Sequence, residues 1–148
     1  MAFRFSLQTL LQFRKSVEHQ QELLLQEANH QVTRVRHEIE GVDGFMAEMA
    51  ARRARELDSG VSAAELQFEN LCRLVLLEHR RQLQRALAER EEVRVNRSQA
   101  FHEARRRREV VDTLRRHQLQ VHRQEQKRKE QRYLDELFLL RREFLRPS

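Results

Sequence analysis

Glycine and proline, the residues that make most tight turns, are almost absent from this chain. Its 148 residues include three glycines and one proline, whereas the two together average about 12% of a globular protein. A sheet protein needs a turn about every ten residues, so a β-sandwich or a β-barrel is excluded. The chain is 35% charged and rich in Glu, Arg, Gln and Leu, which favours long helices. We therefore predict an elongated all-α protein without a large single core.

The strongest break in the helical pattern is Leu57-Asp58-Ser59-Gly60. A helix start follows directly, because Ser62 is a favourable N-cap and Glu65, three residues later, completes a capping box. We predict helix 1 over about residues 5–57, a turn at 58–61 and helix 2 over about 62–145. Together they form one coiled-coil domain, 1–148.

Apolar residues recur at spacings of three and four on both sides of this turn, as in a coiled-coil seam. A short loop makes neighbouring helices antiparallel, so facing residues have numbers that sum to about 119. Phe45 then faces Leu74, and Val42 faces Leu77. Helix 1 is expected to run through its internal glycines, with a soft kink as the alternative. The prediction is an antiparallel coiled-coil hairpin whose longer second helix is unpaired beyond about residue 115.

The net charge of +6 is concentrated at the carboxy-terminal end. Residues 105–148 contain fourteen basic and seven acidic residues, which suggests an acidic protein, nucleic acid or anionic lipid as partner, or simply a solvated helix face. The run from Arg105 to Arg108 could contact phosphates. Interrupting carboxylates and a lone aromatic residue, Tyr133, disfavour nucleic acid.

The chain offers no constellation of residues that indicates catalysis. A two-helix hairpin has no deep pocket, the sequence contains no glycine-rich phosphate loop, and the spacing of its histidines does not fit a helical metal site. The single Cys72 excludes an internal disulfide framework and is expected to be buried. We expect no enzymatic activity, cofactor, metal or small-molecule substrate. A start without a signal peptide, and no apolar run of about 20 residues, favour a cytoplasmic protein.

Two segments carry more apolar side chains than one helix seam can bury. The run 71–77 is apolar on every side of helix 2, and apolar residues of helix 1 face it. We predict a protein-binding patch near the turn, formed by Phe45, Met46, Met49, Leu74, Val75 and Leu76. The alternative is that these side chains form a locally wider core within the helix pair and bind no partner. The second segment is the apolar tail at 133–145, which indicates a partner, self-association or packing on the hairpin.

The amino-terminal motif resembles the opening of the flagellar export protein FliJ family, whose pattern is roughly F-x-L-Q-x-L-L-x-x-R. The segment is Phe5-Ser6-Leu7-Gln8-Thr9-Leu10-Leu11-Gln12-Phe13-Arg14. The resemblance implies a soluble component of the bacterial flagellar type III export apparatus. Family members are antiparallel coiled coils that resemble the rotor stalk of rotary ATPases. They are understood to sit in the pore of the hexameric export ATPase, reach toward the membrane export gate protein and recycle export chaperones.

By this analogy, the end that bears the chain termini is assigned to the export ATPase, through Leu7, Leu10, Leu11 and Arg14. The patch near the turn is assigned to the export gate. The protein is then expected in the cytoplasm, peripheral at the cytoplasmic face of the inner membrane. Two alternatives stay open at this point: an injectisome type III secretion stalk, which has a similar layout, and a nucleic-acid-binding coiled coil.

Overall fold

The protein is described by a computed structural model that covers residues 2–146. Helix α1 spans Gln8–Glu56, a short 3₁₀ helix spans Leu57–Ser59, and helix α2 spans Ala63–Phe144. This part of the chain contains no β-strand. The two long helices pack against each other and α2 is the longer one, which confirms the predicted all-α hairpin.

The turn between the helices is fixed by local interactions. Gly60 has φ of 83°, in the left-handed region that favours glycine. The Ser62 hydroxyl accepts a hydrogen bond from the Glu65 backbone N–H at 3.2 Å, so the expected N-cap is present. The Ser59 hydroxyl donates to the Glu56 carbonyl at 2.9 Å. The chain therefore reverses here without help from distant residues.

Helix α1 is continuous through Gly41 and Gly44, as expected. A Cβ atom added at either glycine would meet no atom within 4 Å. Neither glycine is therefore required by a close approach of another part of the chain.

Helix α1 begins at Gln8, three residues later than the expected start at about residue 5. The Gln8 backbone N–H bonds the Phe5 carbonyl at 3.1 Å, and residues 2–5 are not helical. A non-helical chain covers up to about 3.3 Å per residue, against about 1.5 Å in a helix. The first residues therefore reach further along α2 than a helix would, and the Phe3 and His122 ring centroids are 5.5 Å apart. Pairing thus extends beyond the predicted limit of about residue 115.

Contacts divide the chain into two compact units, one with the residues up to His19 and those from Glu103 onward, the other with Gln20–His102. In the first unit, Phe5, Leu11 and Val111 form a buried apolar cluster. The buried residues of the second unit are Ala28, Val32, Val35 and Leu83. Each unit is thus a stretch of the helix pair with its own apolar contacts. The assignment of the whole chain to one domain stays a prediction.

Ion pairs between the helices show the antiparallel order within each unit. In the second unit, partners on α2 rise in number as those on α1 fall: Arg53–Glu69, Asp43–Arg80 and Arg36–Glu91. In the first unit, Glu18 pairs with Arg108. Every one of these pairs combines an arginine with a carboxylate on the other helix.

Beyond Gln126, every described residue of α2 is exposed, although the helix continues to Phe144. Local contacts along the helix, such as the 3.1 Å hydrogen bond from Gln131 to Asp135, accompany this stretch. The helix is therefore longer than the part that has a packing partner.

Candidate functional site

The patch predicted near the turn is an exposed apolar surface of the second unit. Phe45, Val75 and Leu76 line one shallow groove, and Phe45 and Val75 are 52% and 69% exposed. Met49 lines the adjoining groove on the same side. The helix pair thus brings these four residues to neighbouring grooves; that they bind a partner stays a prediction.

The other two predicted patch residues lie elsewhere. Met46 lines a different groove, which adjoins the groove on the patch side at Met49. Leu74 is 53% exposed but lies outside both grooves, because one step along a helix turns the side chain by about 100°. The predicted set therefore spans more than one face.

Three further residues complete the groove that Phe45 and Val75 line: Phe68, Leu71 and Cys72. Phe68 was absent from the predicted set, although its spacing of three, four and seven to the next apolar residues is the signal of a second helical stripe. Cys72 is half-buried, whereas burial was expected. We call this surface, comprising Phe45, Phe68, Leu71, Cys72, Val75 and Leu76, the apolar patch.

The amino-terminal motif is divided between core and surface. Leu11 is 1% exposed and Leu10 packs against the cluster that contains it, so these two leucines stabilise the helix pair. Leu7 is 37% exposed. The half-buried Arg14 has its guanidinium carbon 5.8 Å from the centroid of the exposed Phe13 ring, within range of a cation–π contact. The side chains of this motif that are accessible for contact with a partner therefore include Leu7, Phe13 and Arg14.

The arginine run at 105–108 is neutralised by the protein's own carboxylates. The partners are Glu109 for Arg105, Glu103 for both Arg106 and Arg107, and Glu18 for Arg108. The neighbouring carboxylates lower the net positive charge of the run, and with it the attraction to phosphates. This arrangement disfavours the nucleic-acid reading of the run.

In the segment 123–132 of α2, none of the five cations has a carboxylate within ion-pair distance in the described part of the chain; they are Arg123, Lys127, Arg128, Lys129 and Arg132. The apolar tail that follows is also exposed, from 44% at Leu137 to 95% at Phe144. The segment 123–132 therefore differs from the run at 105–108, whose arginines are all paired with carboxylates.

Hydrogen bonds between ion-pair partners shift several pKa values. The bond with Glu18 is the main cause of the raised pKa of Arg108. The bond from Arg94 is the main cause of the lowered pKa of Glu91, to which Arg36 also contributes. Both shifts favour the charged form, of the Arg108 guanidinium and of the Glu91 carboxylate.

Residues 2–146 contain no group of three or more His, Cys, Asp and Glu side chains that could hold a metal ion. None of the helices in this range is sufficiently long and apolar to cross a membrane.

The family model described as Flagellar FliJ protein matches residues 3–146. The match covers both helices and the turn between them, well beyond the amino-terminal motif. No curated protein and no solved structure matches the chain significantly. The resemblance read from residues 5–14 is confirmed over almost the entire sequence. The chain therefore belongs to the FliJ family and is a component of the flagellar export apparatus.

Proposed function

We propose that this protein is a non-enzymatic coiled-coil stalk that binds the export ATPase ring and links it to the membrane export gate protein and to export chaperones. Membership of the FliJ family supports the export role. The observation that carries the stalk role is the antiparallel pairing of two long helices, which together with a short 3₁₀ helix are the helices of the described part of the chain. A helix pair is about 20 Å across with its side chains, which suits the central hole of a ring.

On this proposal, the unit that bears the termini enters the ATPase ring. The exposed Leu7 and the Arg14 side chain supply contacts, while the buried Leu11 holds α1 on α2. Exposed ion pairs such as Arg107–Glu103 are each worth about 0–1 kcal/mol. Contacts of this strength exchange readily, so the stalk can rock or turn without falling into a deep energy minimum.

The apolar patch is the proposed contact with the export gate. Four of its six side chains, Phe45, Phe68, Leu71 and Val75, are exposed in the free protein, and covering apolar surface is favourable at about 25 cal/mol per Å². The protein then lies in the cytoplasm and reaches the inner membrane only through its partners. Because the matched family is a flagellar one, we propose the flagellar apparatus over an injectisome.

The ATPase contact is tested by a pull-down against the host's export ATPase, with ATP hydrolysis and ring assembly measured in parallel. The natural protein is expected to bind and to stimulate assembly. Leu7→Glu combined with Arg14→Glu should abolish both effects, whereas Phe68→Ser in the apolar patch should not. Absence of binding by a chain that circular dichroism shows to be helical would overturn the stalk proposal.

The gate contact has a matched control within α2. Val75 in the apolar patch and Val110 in the other unit are 69% and 70% exposed, so replacing either by Ser removes a similar exposed surface. Val75→Ser is expected to weaken binding to the soluble part of the gate protein, and adding Phe45→Ser should weaken it further. Val110→Ser should bind normally. Equal loss in both variants would contradict a contact at the patch.

A further inference from the structure

A second groove lies beside the apolar patch, on the other side of the seam between α1 and α2. One wall is formed by α1 and the first residue of the 3₁₀ helix, and the other by α2, with lining residues spaced three and four apart along each. The lining residues are Met46, Met49, Ala50, Arg53, Ala54 and Leu57 on one wall and Leu66, Glu69, Asn70 and Arg73 on the other. The groove on the patch side is lined by the neighbouring positions Phe45, Arg52 and Glu56, and it meets the second groove at Met49 and Glu69, which line both. A step of one residue turns a helix by about 100°, so the two grooves face different directions. We call the second one the arginine groove.

The walls of the arginine groove suit a third helix. Met46, Leu57 and Leu66 provide apolar surface along its length. Ala50 and Ala54, one helical turn apart, are exposed and carry only a methyl group, which leaves room for a helix backbone to approach. Recognition of an amphipathic helix by an apolar groove between helices is a recurrent mode of binding.

The charges of the groove indicate the sign of its occupant. Arg53 binds Glu69 through Nε at 2.7 Å and also through Nη2. Its remaining nitrogen, Nη1, is buried and has no hydrogen-bond acceptor in the described part of the chain. Arg73, on the opposite wall, is exposed and has no carboxylate within ion-pair distance among residues 2–146. The groove thus has two cations, one carboxylate and an unsatisfied donor, so its potential is positive.

We propose that the arginine groove binds an acidic amphipathic helix of a partner protein. Its apolar side chains pack between Met46 and Leu66, and a carboxylate pairs with Arg73 above the positive floor formed by Arg53. This site is separate from the apolar patch and does not depend on binding to the export ATPase. A negative result for the arginine groove would therefore leave the stalk proposal intact, and the reverse also holds.

The probe is a fluorescein-labelled helical peptide of about three heptads, with Leu at the a and d positions and Glu at the flanking positions. Matched peptides have Lys or Gln in place of every Glu. Fluorescence anisotropy with the full chain is expected to show binding of the Glu peptide at least about tenfold tighter than of the Lys peptide. Arg73→Glu should weaken Glu-peptide binding by about tenfold or more, and Ala54→Trp, which fills the groove, should abolish it.

Two variants control for general attraction to a basic protein. Arg52→Glu makes the same charge reversal in the patch-side groove, and Ala51→Trp places the same ring on α1 outside both grooves. Both should bind the Glu peptide as the natural protein does, with unchanged helicity by circular dichroism. The proposal is overturned by equal affinity for the Glu and Lys peptides, or by normal binding to the Ala54→Trp variant. It is also overturned if Ala54→Trp abolishes only a dimer of this chain, since the occupant is then a second copy.

Discussion

Arg108 on α2 donates a hydrogen bond from Nε to Oε2 of Glu18 on α1 at 2.5 Å, and a second bond joins Nη2 to Oε1 at 3.3 Å. The two side chains are only 20% and 19% exposed. A bidentate pair of this kind fixes both distance and direction between its partners. It therefore ties one position of α1 to one position of α2 and helps to define the register of the first unit.

Replacing Arg108 by Met is expected to lower the free energy of unfolding by about 1–3 kcal/mol, because the Glu18 carboxylate is left largely buried without its donor. Arg107→Met is the control, since Arg107 is 59% exposed and its partner Glu103 lies on the same helix. Its effect should stay below about 1 kcal/mol. Urea unfolding followed by circular dichroism measures both, and equal effects would contradict the role given to the Glu18 pair.

Stability should depend on pH through Glu91. The pKa of this carboxyl is lowered in the folded protein from its ordinary value near 4.5, chiefly by the hydrogen bond from Arg94. A lowered folded pKa contributes stability that is present above pH 4.5 and is lost as the pH falls through the folded pKa. Glu91→Gln should therefore be less stable than the natural protein at neutral pH, and the difference should shrink in acid.

Melting curves of the two proteins over a series of pH values measure this convergence. Glu89→Gln is a suitable control, because the Glu89 carboxylate has no cation within ion-pair distance in the described part of the chain. A difference between Glu91→Gln and the natural protein that stays constant into acid would contradict the prediction.

The internal glycines of α1 should be replaceable with a gain in stability. A Cβ at Gly41 or Gly44 meets open space, and Ala is favoured over Gly within a helix by about 0.8–1 kcal/mol. Gly41→Ala and Gly44→Ala are each expected to raise the melting temperature. Gly60→Ala should lower it, because the φ of 83° is unfavourable for a residue with a Cβ. Calorimetry of the three variants tests the contrast, which fails if all three shift in the same direction.

Two leucines of the amino-terminal motif should respond differently to truncation. Leu11→Ala removes the most buried side chain of the first unit and is expected to cost about 2–5 kcal/mol. Leu7→Ala alters a side chain that is 37% exposed and should cost much less, while still weakening the proposed ATPase contact. Chemical unfolding and the ATPase pull-down, run on both variants, separate stability from binding. A similar loss of stability in both would mean that Leu7 is also a core residue.

Features fixed by neighbouring residues could be predicted from the sequence, and those fixed by distant ones could not. The turn depends on Gly60 and on the cap from Ser62 to Glu65, which are adjacent in the chain. The position of Phe5 depends instead on Val111, so no local pattern reveals that the first residues stay non-helical and extend the pairing.

The candidate sites also have features that the local sequence predicts and features that depend on the packing of distant residues. Helical periodicity identified an apolar excess near the turn, but which members share a groove depends on how α1 and α2 are rotated against each other. For this reason Phe68 was omitted from the predicted patch, and Met46 was grouped with residues that line a different groove. The ion pair between Arg53 and Glu69 could not be predicted from the sequence either. Most charged residues on a helix are solvated, and the neighbours of Arg53 in the sequence do not indicate that it pairs with a residue of the other helix.

The ion pairs between the helices have a consequence for the order of folding. Their partners are separated along the chain by 16, 37, 55 and 90 residues, for Arg53–Glu69, Asp43–Arg80, Arg36–Glu91 and Glu18–Arg108. The entropic cost of closing a loop grows with its length, so the pair next to the turn forms at the lowest cost and shortens the loop that the next pair must close. The hairpin is therefore expected to zip from Gly60 toward its termini. A cut in the turn would convert this zipper into the association of two separate peptides, whose stability depends on their concentration.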